Sequence, residues 1–312
     1  MGLAIVVHGG AGSIDPDRYD AAQSGCAEAA ESGWRVLRSG GSALEAVQAA
    51  IIALENNPGF NAGTGAVLTA DGRPELDAGV MEGRDLTVGA VASVQRIHNP
   101  IVLARAVLTS PHVLLVGDGA ETFATECGIA FCDPRDLITP AQYARWQRGY
   151  QDGDDVNIEP SESEDFTQPI HSDGDRHGTV GAVAMDASGL LVAGASTGGI
   201  GAKHPGRVGD TPLPGCGYYA ENALGGVSCT GHGEDFIRLL LARRALDFVG
   251  LGLTAQQAAS AAIGLLGERV GGHGGLIMID RQGRIGAAHN TATMAHAYMT
   301  DGMSGPFAGI TA

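Results

Sequence analysis

Near the middle of the chain, residues 151–178 contain nine Asp or Glu, and Arg176 is the only Arg or Lys among them. This acidic stretch ends at Gly178. The next residues, Thr179-Val180-Gly181-Ala182-Val183-Ala184-Met185, read as a buried strand. A break before Thr179 would leave a threonine whose own α-amine lies beside its hydroxyl. An unperturbed α-amine has a pKa near ~7.7–8.0 and can serve as base for a hydroxyl nucleophile. Such a junction suits a self-cleaving hydrolase. It also reads as a surface loop entering an ordinary strand, since Thr is common in strands. The junction alone does not separate the two readings.

Other residues widen the first reading. Five further segments carry small or chemically capable residues: His8-Gly9-Gly10-Ala11-Gly12; Phe60-Asn61-Ala62-Gly63 followed by Glu75-Leu76-Asp77-Ala78; Ser196-Thr197-Gly198-Gly199; Gly206-Arg207-Val208-Gly209-Asp210; and Ser228-Cys229-Thr230-Gly231-His232-Gly233-Glu234. Arg207 and Asp210 suit an amino-acid ligand. A guanidinium can grip an α-carboxylate through two parallel hydrogen bonds, and a carboxylate can hold an α-ammonium. Lying three residues apart, they could equally pair with each other on a loop. Thr230 and Gly231 follow a short strand and precede a helix, a place for oxyanion donors but also for an ordinary helix cap.

The run His177-Gly178-Thr179-Val180-Gly181-Ala182-Val183-Ala184 resembles the cleavage site of plant-type L-asparaginases, or isoaspartyl peptidases, which are N-terminal-nucleophile hydrolases. The five segments above agree with that family in order and spacing, so the resemblance runs from about residue 4 to about residue 294. It implies one domain over residues 1–312, cut into an α subunit, 1–178, and a β subunit, 179–312, with 151–178 as a flexible acidic linker. The expected activity is hydrolysis of L-asparagine and of β-aspartyl dipeptides through a Thr179 acyl-enzyme.

The resemblance also assigns roles. Thr197 would hold the Thr179 hydroxyl, although it also reads as a strand-end turn residue. Thr230 and the backbone N–H of Gly231 would form the oxyanion hole. Arg207 and Asp210 would bind the two ends of the aspartyl group, Gly233 would add a backbone contact, and Asn61 would help to place substrate. Backbone oxygens of Leu54, Glu55, Asn57, Phe60, Ala62 and Thr64 would hold a structural sodium ion; read without the resemblance, this is an ordinary helix C-terminus. No organic cofactor is expected. Mature protein would assemble as (αβ)₂. Three positions depart from the family: Ala66 stands where Ser is frequent, His232 occupies a variable position, and His296 replaces a frequent Arg. A glycosylasparaginase-like amidase and an uncleaved, non-catalytic amino-acid-binding homologue are the alternatives.

Composition narrows the partners. The formal net charge is −16, which disfavours nucleic acid and anionic membranes. Five cysteines without CxxC spacing suit free thiols in a reducing compartment. The apolar run 3–7 is too short for a signal peptide or a span, and a cytoplasmic location is expected.

The elements that must position these residues are legible in outline. Helical spacing predicts helices over 19–38, from the Ser42-Ala43-Leu44-Glu45 capping box to Leu54, over 100–108, over 233–248, and from the Thr254 cap to about 266. Strands are expected at 3–7, 66–69, 75–80, 86–94, 113–116, 180–185, 190–195, 227–229, 276–280 and 284–289, the last two closing the pattern. Helices and clustered strands without long parallel crossovers indicate an α+β fold with stacked antiparallel sheets. The resemblance makes that the four-layer αββα sandwich of N-terminal-nucleophile hydrolases.

Overall fold

The structure, a computed structural model, describes residues 2–149 and 178–310. The acidic stretch therefore lies outside the described residues except for Gly178.

The chain forms a mixed α+β fold. In order, its elements are β1 (Ala4–Gly12), α1 (Tyr19–Arg38), α2 (Ala43–Glu55), β2 (Leu76–Glu82), β3 (Thr87–Val94), α3 (Pro100–Leu108), β4 (Leu114–Val116), α4 (Gly117–Glu126) and α5 (Pro140–Gln147). After residue 178 come β5 (Val180–Met185), β6 (Leu191–Thr197), β7 (Tyr218–Glu221), β8 (Gly225–Gly231), α6 (Gly233–Leu239), α7 (Leu241–Gly250), α8 (Ala255–Val270), β9 (Gly274–Asp280), β10 (Ile285–His289), β11 (Thr293–Thr300) and β12 (Phe307–Gly309). One sheet has the order β12-β11-β1-β5-β6-β2-β3-β4, the other β10-β9-β8-β7.

Strand β5 shows how the sequence dictates its place. All six of its residues are buried, so both faces are covered. Val180, Ala182 and Ala184 join the cluster formed with α1, α2 and α3, whereas Val183 and Met185 join Val6, Ala193, Ile277 and Ile279 between the sheets. The two-residue period of a strand divides the run between the two clusters. Gly181 takes the remaining inner position because a Cβ there would lie 2.0 Å from Ser228 Oγ. A third cluster joins Val227, Cys229, Leu276 and Met278 of the smaller sheet to α7 and α8. Helices α1 to α3 thus pack on the larger sheet, the smaller sheet faces its other side, and α7 and α8 cover the smaller sheet.

Local signals set several boundaries. Ser42 and Glu45 form a reciprocal capping box at α2, and Thr254 and Gln257 do the same at α8. Pro100 opens α3 at a position where its missing N–H costs nothing.

Five expectations need correction. The helix expected over 233–248 is two, because Leu240 adopts φ +53° between α6 and α7. Residues 66–69 form isolated bridges to Pro74 and Lys203, not a strand. β10 does not close the pattern: β11 and β12 follow, and β11 pairs with β1. One pair, β3 and β4, is parallel, across α3. Finally, the expected elements omit β7, α4 and α5; α5 buries no residue and the four-residue β7 is held by β8.

Candidate active site

The register of the large sheet builds the site. Val180 pairs with Ser196 and Asp77 pairs with Thr197. Thr179, one residue before β5, therefore meets Thr197 at the end of β6. The Thr179 hydroxyl donates to Thr197 Oγ1 at 3.1 Å, and Thr197 Oγ1 also accepts from the Gly199 N–H at 2.9 Å. Both side chains are buried.

A small cleft opens over these two residues. Thr179, Thr197, Gly199, Arg207, Gly209, Asp210, Gly231 and Gly233 are among its lining, around about 240 Å³ of space with open solvent included. Six residues singled out from sequence are thus brought to one cavity. Two others stand just behind it. Thr230, fully buried on β8, accepts the Ala11 N–H at 3.2 Å, so its own proton is the part available to an acceptor. Asn61 donates to the Gly199 carbonyl at 2.7 Å and accepts from Val67 N–H at 2.8 Å. A Cβ on Gly178 would stand 2.5 Å from Asn61 Cβ, so Asn61 braces both the loop after β6 and the residue before Thr179.

Arg207 is held by Glu234. Its Nε donates to Oε1 at 2.9 Å and its Nη2 to Oε2 at 2.6 Å, a two-point grip. Arg207 is bound to Glu234, and Asp210, whose charge also acts on Arg207, is buried. Burial alone would lift the Glu234 carboxyl, but the Arg207 hydrogen bonds and charge outweigh it and hold it below the usual range. Burial likewise works against the Arg207 charge, and Glu234 more than compensates. The grip leaves Nη1 on the other edge, where Gly209 gives it room: a Cβ there would lie 3.0 Å from Nη1. Gly233 is similarly constrained, since its Cβ would come within 2.8 Å of Asp210 Oδ1.

Beneath the cleft lies a buried polar layer. Lys203 Nζ donates to the Glu75 carbonyl at 2.9 Å, and Glu75 Oε2 accepts the Gly206 N–H at 2.9 Å. Burial pushes Asp77 up and Lys203 down, each opposed by the other's charge. On the inter-sheet side, His8 Nε2 lies 3.0 Å from Ser228 Oγ, which donates to the Gly194 carbonyl at 3.1 Å. Burial drives His8 down to about 3, so the imidazole is neutral.

The loop after α2 is rich in backbone carbonyls. Carbonyl oxygens of Glu55, Pro58, Phe60 and His98 crowd Gly63 and Gly65, where a Cβ would come within 2.6–3.0 Å of them. Both glycines have positive φ, +51° and +99°. Two of these oxygens, those of Glu55 and Phe60, belong to the expected set, and carbonyl oxygen is the ligand type that suits a hard cation. Leu54, Glu55 and Asn57 also accept hydrogen bonds from the backbone, Thr64 N–H reaching Glu55 O at 2.9 Å; the second lone pair of each carbonyl remains.

The profile of the asparaginase family matches residues 1–307. The chain belongs to the asparaginase family. It is 45% identical to a plant-type L-asparaginase of Thermococcus kodakarensis, over 98% of this chain and 99% of that protein. It is 46% identical to a plant-type L-asparaginase of Pyrococcus horikoshii, over 99% and 100%. An isoaspartyl peptidase/L-asparaginase of Rattus norvegicus is 43% identical, over 97% of this chain and 87% of that protein.

For this asparaginase-family chain, sequence reasoning passed over Glu234, Lys203 and His8 as working groups. Glu234 had a signal: an acid immediately after the Gly-rich turn that carries Gly231 and Gly233. His8 opened one of the segments singled out, directly after an apolar strand, but without a role; Lys203 had no signal, because only packing reveals that a Lys is enclosed. Among the described residues, no helix is long and apolar enough to cross a membrane.

Proposed function

We propose that the chain is an autoprocessed threonine amidohydrolase that converts L-asparagine to L-aspartate and ammonia and cleaves β-aspartyl dipeptides. The observation that carries this reading is the single cleft in which Thr179, Thr197, Arg207, Asp210, Gly231 and Gly233 meet. The family membership and the names of the relatives support the same chemistry. The packing of helices on both outer sides of two facing sheets agrees with a four-layer αββα sandwich of the N-terminal-nucleophile type, forming one domain over residues 1–312.

Maturation comes first. The Thr179 hydroxyl attacks the Gly178 carbonyl, the C–N bond breaks as the acyl group passes from nitrogen to oxygen and frees the Thr179 α-amine, and water then hydrolyses the ester to release the Gly178 carboxylate and the hydroxyl. Residues 1–178 become the α subunit and 179–312 the β subunit. In catalysis the α-amine takes the hydroxyl proton as Oγ attacks the β-carbonyl. Thr197 keeps the hydroxyl in the attacking rotamer, being already its hydrogen-bond acceptor. Thr230 Oγ1 and the Gly231 N–H stabilise the oxyanion; fixed donors of this kind are worth roughly 10²–10³ in rate each. The α-ammonium then protonates the departing nitrogen, and water releases aspartate from the ester.

Arg207 takes the α-carboxylate through the edge that Glu234 leaves open, and Asp210, with the carbonyl of Gly233, takes the α-ammonium. Asn61 keeps the loop after β6 and the Thr179 amine in place. A sodium ion would be held by backbone oxygens of Leu54, Glu55, Asn57, Phe60, Ala62 and Thr64; bound there, it would stiffen the loop that carries Asn61. The reaction as written uses no organic cofactor. Two αβ units would form (αβ)₂. A cytoplasmic location agrees with the acidic composition and five free thiols.

The test is a denaturing gel of purified protein with N-terminal sequencing, alongside aspartate release from asparagine and β-Asp-Leu. Two fragments, one beginning at Thr179, and aspartate from both substrates are expected. Thr179→Ala should stay a single inactive chain. A Thr179→Ala protein that still splits at this bond would overturn the mechanism.

A further inference from the structure

Helix α2 lies against the hairpin of β5 and β6, and a buried acidic side chain fastens it there at each end. At the start of the helix, Asp186 Oδ2 accepts the Ala43 N–H at 3.0 Å. Asp186 Oδ1 accepts the N–H groups of Ser188 and Leu190, at 2.9 and 3.2 Å, and so shapes the β5–β6 turn. At the other end stands Glu55, the last residue of α2. Its Oε1 accepts the Ser196 hydroxyl at 2.7 Å and the Ile101 N–H at 3.1 Å. Glu55 is fully buried, and its partners are neutral: a hydroxyl, a backbone N–H and the Asn99 side chain. The end of the hairpin that Glu55 grips carries the site. Val180 pairs with Ser196, so Thr179 and Thr197 each lie one residue from that rung. Val192 belongs to the helix-side cluster, and Ala193 and Ala195 to the inter-sheet cluster. The same alternation puts Ser196 on the helix side and Thr197 on the other. β6 ends at Thr197, and two glycines follow it. The Glu55–Ser196 bond thus anchors the last rung before the residue that accepts the Thr179 hydroxyl.

We propose that Glu55 is a positioning residue: through Ser196 it holds Thr197, and thereby the Thr179 hydroxyl, once the Gly178–Thr179 bond no longer tethers the strand. The inference rests on the function proposed above. α2 precedes residue 178 and the hairpin follows it, so a cut before Thr179 leaves the Glu55–Ser196 bond joining the two fragments just behind the new N-terminus. In the precursor, Gly178 holds Thr179 covalently from its other side, and processing can do without the brace. In the mature protein the chain holds Thr179 from one side only. A shift of Thr197 then changes the rotamer from which the hydroxyl attacks. Misplacement by about 1 Å can cost on the order of 10² in rate, so a modest loosening is readable in kcat. Arg207 and Asp210 grip the substrate independently of this brace, so KM should be spared.

The experiment measures processing, kcat and KM for asparagine in wild type, Ser196→Ala, Thr197→Val, the double variant and Glu55→Gln. Ser196→Ala removes a single hydroxyl and leaves Glu55 its bond to Ile101. It should process fully and lose at least about fivefold in kcat, the effect of one hydrogen bond, with KM within about twofold of wild type. In the Thr197→Val background the same change should cost less than about twofold, because the side chain that it steadies no longer reaches Thr179. Glu55→Gln keeps an oxygen for both donors and should stay within about threefold of the wild-type kcat. An unchanged kcat in Ser196→Ala would overturn the positioning role and leave the proposed function standing. So would a loss that carries over in full to the Thr197→Val background, since the brace would then act elsewhere. A Ser196→Ala chain that remains uncut, or a Glu55→Gln loss as large as that of Ser196→Ala, would overturn it equally. Wild-type protein that neither cuts itself nor releases aspartate would instead sink the function on which the inference rests.

Discussion

At the scale of single residues, the cleft joins groups whose tasks in the proposed reaction differ, so their substitutions should fail differently. Arg207→Ala removes the carboxylate ligand and strands Glu234. We expect kcat/KM for β-Asp-Leu to drop by at least ~10²-fold, with processing intact, because maturation involves no free carboxylate. An unprocessed Arg207→Ala protein would instead give this residue a part in the precursor's fold. Thr197→Val keeps the volume but loses the oxygen that accepts from Thr179 at 3.1 Å; roughly a tenfold loss in kcat with little change in KM is expected. His8 carries a pH signature. Burial holds it at about 3 against an ordinary 6.5, so below pH ~6.5 the unfolded chain binds a proton that the native state refuses. Stability is therefore lost as pH falls from ~6.5 towards 3, by up to about 2 kcal/mol at pH 5. Urea titrations at pH 7 and pH 5 should show a smaller difference for His8→Asn than for wild type. An unaltered difference would assign the acid sensitivity elsewhere.

At the scale of elements, close backbone approach explains why certain positions tolerate only glycine. A Cβ on Gly181 would fall 2.0 Å from Ser228 Oγ and 2.5 Å from His8 Nε2, between two sheets that cannot separate without losing the Val183 and Ile277 contacts. Gly181→Ala should cost about 1–3 kcal/mol, read as a lower urea midpoint; a midpoint equal to wild type would mean that the sheets adjust freely. Gly233 stands at the start of α6, with Asp210 packed against it. In Gly233→Ala the added methyl should displace Asp210, raising KM for asparagine while leaving the fragment pattern on a gel unaltered. An unchanged KM would remove Asp210 from the proposed clamp.

At the scale of the whole molecule, the larger sheet interleaves the two halves of the chain. β1, from the first half, is hydrogen-bonded between β11 and β5, both from the second, and β2 pairs with β6. A cut before Thr179 would leave three strand interfaces spanning both fragments. The fragments of 178 residues and 312 − 178 = 134 residues should therefore co-elute under native conditions and separate only on denaturation. Fragments that part in mild buffer would show that these ladders are not what holds the halves together. The same interleaving predicts that neither half, expressed alone, folds: each would expose unpaired edges along its strands.

Much of the site was legible in the sequence because its chemistry is local in the chain. The Gly178-Thr179 junction, the Thr197 turn, the Arg207 loop and the Thr230-Gly231 turn each announce their residue types within a few positions. So do α1, α2, α3 and α8, whose apolar periods are written in contiguous sequence, with capping boxes at α2 and α8. Tertiary structure decided the rest. The partner of Arg207 is Glu234, 27 positions away, and no spacing rule connects two loops that only the β8–α6 junction brings together. His8 and Lys203 look like surface residues until packing encloses them. β11 is an edge-to-centre strand only because β1, nearly three hundred residues earlier, pairs with it. Sequence by itself determines which groups exist and which short elements carry them. Their distances, protonation and partners follow from long-range pairing and burial, which no local pattern encodes.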